Sequence, residues 1–316
     1  MYAEQLEALG RWLSCPDDGT PLGWRLSALE CPACGRDYQA RDNVLDLTPS
    51  SPAALEPGSV SREYADYYRV EYGREAASAQ PVAWGAPESL PPTALRHKLR
   101  QVAQVLKILA EPSQVPHPVF CDVTGAAGHY TFAASGLFQW VLHCDLCPGA
   151  LRYASEKASK LGLRNIFFLR VDYFQLPFRA SLDRLICMDT LIRGRAHEIS
   201  LLKNIHRSLA PGGRALVDFH NWWHNPLRRI GLLSDNFTGN ASYSARQCRE
   251  LLHRAGIEHY RYFPFRQERD EETPRPGLLA RAARLIPPTR LMYLVSAMAS
   301  AQDRVTVAPT AGGGRQ

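Results

Sequence analysis

The hydrophobic pattern changes character along the chain. Beyond residue 117, short apolar runs alternate with segments whose apolar residues recur at helical spacing. Such alternation predicts a parallel sheet covered by helices on both faces, with ligands bound at the carboxyl ends of the strands. The apolar runs predict strands around Phe120 and over Trp140–Cys144, Ile166–Val171, Leu182–Met188, Arg214–Phe219 and Ile257–Phe263. The helical spacing predicts helices over Thr93–Leu109, Tyr130–Ser135, Gly149–Leu161, Ala196–Leu209 and Ser244–Ala255.

The same pattern divides the chain into four parts. Residues 1–48 form a small cysteine-containing unit, and residues 49–115 are a linker followed by helices that cap the active site. That linker begins in a stretch rich in Pro and Ser, which breaks regular structure. Residues 116–305 hold the alternating strands and helices, and the small polar residues of 306–316 predict a disordered tail.

Composition narrows the class of protein. Hydrophobic residues at 45% and charged residues at 22% are ordinary for a globular protein. The net charge of +6 is modest, and its arginines are scattered as on a solvated surface. The first ten residues resemble no signal peptide, and the longest late apolar run, from Leu291 to Ser300, is about half of the ~20 residues that a membrane span requires. We therefore expect a cytoplasmic protein with reduced cysteines and no membrane span.

Acidic residues follow three successive predicted strands. Asp122 ends the first and precedes the small residues Thr124, Gly125 and Gly128, which let a ligand approach the backbone closely. Asp145 ends the second strand, where a carboxylate can accept hydrogen bonds from both ribose hydroxyls. Asp172 follows the third strand and can accept a hydrogen bond from an adenine amino group. The three carboxylates predict a nucleoside site.

Four motifs in order resemble those of the class I S-adenosylmethionine-dependent methyltransferases, most closely the quinone-biosynthesis and small-molecule subgroup. They are Asp122-Val-Thr-Gly-Ala-Ala-Gly128, Asp145-Leu-Cys-Pro148, Asp172-Tyr-Phe-Gln-Leu-Pro-Phe178 and Ala210-Pro-Gly-Gly213. The resemblance implies an α/β fold with a doubly wound, mostly parallel, seven-stranded Rossmann-like sheet. It also implies that Asp122 and the backbone of 124–128 hold the methionine end of S-adenosylmethionine, Asp145 its ribose and Asp172 its adenine.

The chain departs from the family's pattern in the glycine loop. Thr124 and Ala126 stand where the family usually has glycine, so a positive φ at either position would cost of the order of 1 kcal/mol. The loop is therefore expected to be differently shaped or weakened. A nicotinamide site is an alternative, which the missing G-x-G-x-x-G spacing disfavours. A domain that binds no cofactor is another.

Four residues of the N-terminal unit have the spacing of metal ligands. Cys15, Cys31 and Cys34 resemble three ligands of a zinc ribbon, and Asp18 stands where the fourth thiolate is expected. The two Cys-Pro knuckles also resemble the small zinc ribbon of a ribosomal RNA guanine methyltransferase family. This resemblance implies structural zinc with Asp18 or water completing the site; a ribbon that has lost its metal is the alternative.

The acceptor of the methyl group is expected beyond the fourth and fifth strands. Asp189 follows the fourth strand, with Arg193 nearby as a substrate-binding candidate. His220 and His224 follow the fifth and are candidate general bases, since a neutral imidazole is available near neutral pH. Asn221 offers hydrogen bonds there, and Trp222 or Trp223 could stack on a planar acceptor.

Three functions fit these residues. The favoured one is transfer of a methyl group to oxygen or carbon of a small-molecule, lipid-like or glycan-like acceptor. The second is methylation of a base in ribosomal or transfer RNA. It is disfavoured because the first 48 residues carry four arginines against eight Asp and Glu residues, which opposes phosphate binding. The third is a non-catalytic adaptor whose altered loop binds no cofactor.

Overall fold

The structure is a computed structural model that describes residues 7, 9–25, 28–50, 86–110, 119–189, 195–221, 242–265 and 290–297. At the N-terminus, strands β1 (Gly23–Arg25), β2 (Ala28–Glu30) and β3 (Asp37–Tyr38) form a small antiparallel sheet in the order β1-β2-β3. The hairpin β4 (Ala40–Arg41) and β5 (Val44–Asp46) follows it. Asp42 and Asn43, both with positive φ, form the tight turn between β4 and β5.

The remaining strands build one large sheet. They are β6 (Val119–Val123), β7 (Trp140–Asp145), β8 (Ile166–Arg170), β9 (Leu182–Cys187), β10 (Leu209–Asn221), β11 (Ser242–Tyr243), β12 (Tyr260–Phe265) and β13 (Arg290–Ser296). The order is β12-β13-β10-β9-β6-β7-β8-β5-β4, with β11 paired to β10. Strands β6 to β10 are parallel, whereas β13 runs antiparallel between β10 and β12. The expected doubly wound, mostly parallel sheet is confirmed, but it has ten strands where seven were expected, because β4, β5 and β11 also pair into it.

Five α-helices are described among these strands. They are α1 (Pro92–Leu109), α2 (His129–Ala134), α3 (Pro148–Lys160), α4 (Arg195–Ser208) and α5 (Ala245–Arg254). Each lies within a residue or two of the span that periodicity predicts. Helix α5 begins with a capping box in which the Ser244 hydroxyl accepts from the backbone N–H of Gln247 and the Gln247 side chain accepts from that of Ser244.

Three details differ from the sequence-based expectation. The turn predicted over 210–213 lies inside β10, where the pairing with β9 shifts register between Leu209 and Arg214. Gly212 there has φ of 77°, so the strand is irregular where a turn was expected. The last predicted strand runs over Tyr260–Phe265 rather than from Ile257. Strand β13 is not among the predicted strands, because periodicity alone does not distinguish a short apolar strand from another buried segment.

The large sheet is buried on both faces, which explains the continuous apolar runs of its strands. Successive residues of β6 point into different cores: Val119, Cys121 and Val123 belong to one, and Phe120 belongs to the other. All five cysteines outside the N-terminal unit are buried, as expected for small apolar side chains. Among the described helices, none combines the length and hydropathy needed to cross a membrane.

The N-terminal unit shares both a sheet and a core with the rest of the protein. Strand β5 pairs in parallel with β8, placing Leu45 beside Leu169. The guanidinium of Arg170 lies 2.9 Å from the Asp46 carboxylate, and the Ser14 N–H donates to the Pro177 carbonyl at 2.8 Å. The unit is therefore packed against the strand and turn that carry Asp172.

Replacement of Leu45 by Ala tests this shared core. Leu45 is fully buried, so Leu45→Ala should lower the free energy of unfolding by about 2–5 kcal/mol. We expect one cooperative urea transition that shifts as a whole, since the N-terminal unit and the large sheet unfold together. Leu161→Ala is the matched control, because Leu161 is exposed. Two transitions, of which only one moves, would contradict the shared core.

Candidate functional site

The turn between β6 and α2 has an unusual backbone. Thr124 and Ala126 adopt left-handed conformations with φ of 68° and 43°, and Gly128 follows with φ of 79°. The Gly125 N–H donates to the Cys144 carbonyl at 2.8 Å, which ties the turn to the end of β7. The chain thus forms a tight turn without the usual glycines, and the backbone is strained at Thr124 and Ala126.

Asp145 holds this turn in place. One carboxylate oxygen accepts the Ala126 N–H at 2.9 Å, and the other accepts the N–H of Cys147 at 2.9 Å. Burial raises the pKa of Asp145, and these hydrogen bonds oppose the increase only in part. The residue predicted to bind ribose therefore also fixes the loop predicted to bind the methionine end.

A buried polar network lies beneath the turn, and sequence reasoning missed it. The Thr131 hydroxyl donates to Asp122 at 2.7 Å and lies 2.7 Å from Nδ1 of His143. While Asp122 is ionised, the one hydrogen of the hydroxyl is donated to it, so Nδ1 of His143 then carries the hydrogen of its contact with Thr131. A Cβ added to Gly125 would lie 2.4 Å from Cε1 of His143, so glycine is required there for space. The sequence feature that could have indicated this network is His143, a polar residue within an apolar strand.

Burial sets the charge of this network. It lowers the pKa of His143 to about 3, so the imidazole is neutral at physiological pH. It also raises the pKa of Asp122 to about 7, against opposing effects of the Thr131 hydrogen bond and of the Lys98 ammonium. The nearby charge of Asp145 adds to the increase. The carboxylate predicted to face the cofactor therefore titrates close to neutrality.

The third predicted cofactor residue begins the next turn. Asp172 follows β8 and accepts the Phe174 N–H at 2.9 Å, which caps the short 3-10 helix Tyr173–Gln175. It is buried, and burial raises its pKa. Since β6, β7 and β8 are adjacent and parallel, Asp122, Asp145 and Asp172 lie at the same edge of the sheet. The structure thus brings the three predicted carboxylates to neighbouring strand ends.

The acceptor residues are brought together in part. Asp189 follows β9 with φ of 61°, and its N–H donates to the buried Asp218 carboxylate at 2.7 Å. Nε2 of His220 lies 3.7 Å from an Asp189 oxygen, and buried Asn221 ends β10 next to it. Helix α1 adds Lys98, whose Nζ lies 3.2 Å from the other Asp189 oxygen. Four candidates lie outside the described residues: Arg193, Trp222, Trp223 and His224.

The cysteine unit contains two knuckles of the same shape. In each, the glycine after the fourth residue donates its N–H to the carbonyl of the first: Gly19 to Cys15 and Gly35 to Cys31, both at 2.8 Å. Both glycines have φ above 70°, which explains why glycine follows each knuckle. The repeated geometry brings Cys15, Asp18, Cys31 and Cys34 together, with their ligand atoms within 4.8 Å of one another.

The distances within this cluster suit a tetrahedral ion. Sγ of Cys15 lies 3.8 Å from Sγ of Cys34, and Sγ of Cys31 lies 3.3 Å from an Asp18 oxygen. Zinc bonds of roughly 2.3 Å to sulfur and 2.0 Å to oxygen at tetrahedral angles give separations of about 3.8 Å and 3.5 Å. The Thr20 N–H donates to Asp18 and helps to lower its pKa to about 2, so this carboxylate is ionised as a ligand must be.

Comparison with known proteins identifies the fold. Residues 120–213 match the family described as "Methyltransferase domain". Magnesium protoporphyrin IX methyltransferase from Synechocystis is 17% identical over 75% of this chain and 99% of its own, with a TM-score of 0.50. Phosphoethanolamine N-methyltransferase 2 from Haemonchus contortus is 15% identical with a TM-score of 0.47. That comparison covers 64% of this chain, which spans about half (53%) of the Haemonchus chain. No curated protein sequence matches.

The large sheet therefore has a Rossmann-like methyltransferase fold, with the matched segment at its centre. That segment contains Asp122, Asp145 and Asp172, together with the turn after β6 and the strand β9 that precedes Asp189. The N-terminal unit lies outside it.

Replacing Ala126 by Gly should stabilise the protein. At φ of 43° the Cβ of Ala126 is strained, so Ala126→Gly should raise the free energy of unfolding by about 0.5–1 kcal/mol after the unfolded-state entropy of glycine is counted. Ala133→Gly, in helix α2, should instead lower it by about 1 kcal/mol. Urea unfolding measures both. The same sign for the two substitutions would contradict the strained turn.

Proposed function

We propose that the protein is an S-adenosylmethionine-dependent methyltransferase that acts on oxygen or carbon of a small-molecule, lipid-like or glycan-like acceptor. The observation that carries the proposal is the turn after β6, held by the Asp145 carboxylate beside buried Asp122. Its tight backbone suits a ligand that approaches closely, and Asp172 ends the neighbouring strand. A nucleoside with a charged amino-acid end matches these groups.

In this proposal each carboxylate binds one part of the cofactor. Asp122, when ionised, attracts the ammonium of the methionine end, together with the backbone of Thr124, Gly125 and Gly128. Asp145 accepts hydrogen bonds from the ribose hydroxyls with the lone pairs that its two backbone donors leave. Asp172 accepts from the adenine amino group. The bound cofactor supplies an electrophilic methyl group.

The acceptor would approach from the corner formed by Asp189, His220 and Asn221, with Arg193, His224 and the tryptophans Trp222 and Trp223 as further proposed contacts. For a hydroxyl acceptor, the oxygen lone pair forms the new O–C bond while the C–S bond breaks and leaves its electron pair on sulfur. The hydroxyl proton passes to His220. The imidazolium so formed faces the Asp189 carboxylate, 3.7 Å away, which stabilises it.

A small acceptor is favoured over RNA by the charge of the N-terminal unit, in which acidic residues outnumber arginines. The enzyme from Synechocystis is named for a porphyrin substrate, which belongs to the same broad class of acceptor. Incubation of cell extract with methyl-labelled cofactor and the purified protein tests the class. Label in the small-molecule or lipid fraction supports it, whereas label in RNA favours the second candidate function.

The affinity for S-adenosylmethionine should depend on pH. Because burial raises the pKa of Asp122 to about 7, a proton must leave before an ionised carboxylate meets the ammonium. Affinity should therefore fall up to about tenfold per pH unit as pH drops below 7, and level off above it. Asp122→Asn should bind more weakly and lose the slope, whereas Asp42→Asn, at an exposed position, should keep it. Isothermal titration between pH 5.5 and 7.5 measures this.

Absence of binding heat at every pH would contradict the proposed cofactor. Co-purification with another enzyme would then favour the adaptor reading, in which the strained turn at Thr124 and Ala126 no longer admits a ligand. A wild-type affinity that does not change with pH, accompanied by measurable heat, would contradict the role of Asp122 alone.

We also propose that Cys15, Asp18, Cys31 and Cys34 hold a structural zinc ion. The support is the pair of equivalent knuckles and the tetrahedral distances between the ligand atoms. Four protein ligands leave no position for water, so the proposed role is structural. The cluster would stabilise the N-terminal unit, which packs against Pro177 in the turn after Asp172.

Protein purified without chelator should contain about one zinc per chain, measured by elemental analysis. Cys34→Ser should lower the zinc content, and Asp18→Cys should slow its loss to a chelator because thiolate is the more common structural ligand. Cys248→Ala, at a buried position outside the cluster, should leave the zinc content unchanged. A wild-type content well below one would contradict the zinc site.

A further inference from the structure

Lys98 connects the two halves of the site, although neither the motifs nor the spacing pointed to it. It lies on α1, and its Nζ is 3.2 Å from one oxygen of Asp189. The same ammonium lies 5.1 Å from the centre of the Tyr130 ring on α2, and its charge lowers the pKa of Asp122 in opposition to burial. Lys98 is thus placed between the proposed cofactor carboxylate and the proposed acceptor corner.

Asp189 is held on both sides. Its backbone N–H donates to buried Asp218, in a left-handed conformation that is uncommon for a residue other than glycine. Its two carboxylate oxygens face different partners: Oδ2 accepts from Lys98, and Oδ1 lies 3.7 Å from Nε2 of His220. The side chain therefore bridges a permanent cation and the proposed base.

The charged groups around His220 come from several elements. Asp189 follows β9, Lys98 lies on α1, and Asp218 lies two residues earlier on the same strand, β10. On β13, Arg290 is the cross-strand partner of His220, and on β11 the partner is Ser242; the side chains of both lie outside the described residues. Among the described side chains, Lys98 is the cation that contacts Asp189.

We propose that Lys98 is a positioning residue for methyl transfer: its ammonium orients Asp189 toward His220 and offsets the negative charge there, so that His220 is a neutral base ready to accept the proton of a hydroxyl acceptor. The inference rests on the proposed function. It adds a residue to that site and selects acceptors that carry an O–H group.

The sign of the effect follows from electrostatics. The negative charge of Asp189 favours imidazolium, and the positive charge of Lys98 opposes it. Without Lys98, Asp189 would hold a proton on His220 to higher pH, and a protonated imidazole cannot accept another. With the Asp189 carboxylate in place, a base kept neutral at physiological pH therefore requires the opposing charge of Lys98.

The test is the titration of His220 in the full chain. NMR of carbon-13-labelled histidine monitors it, and the His220→Gln variant identifies the His220 signal. Lys98→Met should raise the titration midpoint by about 0.5–1 pH unit, since the pair is partly exposed and solvent reduces the effect. Asp189→Asn should lower it. Lys98→Arg should leave it within about 0.2 unit of wild type, since arginine keeps the charge. Lys107→Met, at an exposed position on the same helix, is the matched control.

The second measurement is kcat as a function of pH. It is made at saturating cofactor, and the acceptor is the fraction of cell extract that takes up label. In Lys98→Met the acid limb of the kcat profile should move to higher pH by the same amount as the His220 midpoint. At a given pH on that limb, kcat should therefore fall up to about tenfold. Lys98→Arg should restore it within about twofold. An unmoved His220 titration, or equal loss with Met and Arg, would overturn the inference. Failure of the wild type to bind cofactor would instead overturn the proposed function, and the NMR result distinguishes the two.

Discussion

The site depends on buried carboxylates that need hydrogen-bond donors. Asp145 is removed from water at the end of β7, and the backbone N–H groups of Ala126 and Cys147 satisfy it. The same contacts hold the turn after β6 in a conformation that strains Thr124 and Ala126. The hydrogen bond from Ala126 to this buried carboxylate offsets part of the strain of the two left-handed residues, and it holds the turn without its usual glycines. The shape of the proposed cofactor loop is thus tied to the hydrogen bonding of the neighbouring carboxylate.

The N-terminal unit contributes to the same edge of the sheet. Its hairpin adds β5 and β4 beyond β8, and Ser14, directly before its first knuckle, donates a hydrogen bond to Pro177 in the turn that follows Asp172. An edge strand exposes unpaired backbone groups, and the hairpin covers those of β8. A metal cluster that orders the knuckles would therefore act on the proposed adenine pocket through packing, without touching the ligand.

Lys98 and His143 contribute to the site through long-range contacts that no sequence motif indicates. Each lies on a predicted element, yet each acts through a partner on a different one: Lys98 on Asp189, and His143 on Thr131 and the space beside Gly125. The Lys98 ammonium acts on the charge of Asp122 and Asp189, and His143 packs beneath the turn at Gly125. Neither residue belongs to a spacing pattern, because the contacts join helices and strands that are remote in sequence.

The sequence alone determined the alternation of strands and helices, the three carboxylates at strand ends and the two cysteine knuckles. These are local features, fixed by periodicity, turn chemistry and short spacings. It did not determine strand β13, the register shift near Gly212 or the joining of β5 to β8. Only the tertiary structure decided those, since a strand chooses its neighbour through pairing and burial, and the Asp46–Arg170 contact joins residues 124 positions apart. Long-range packing, which no local pattern encodes, placed Lys98 beside Asp189.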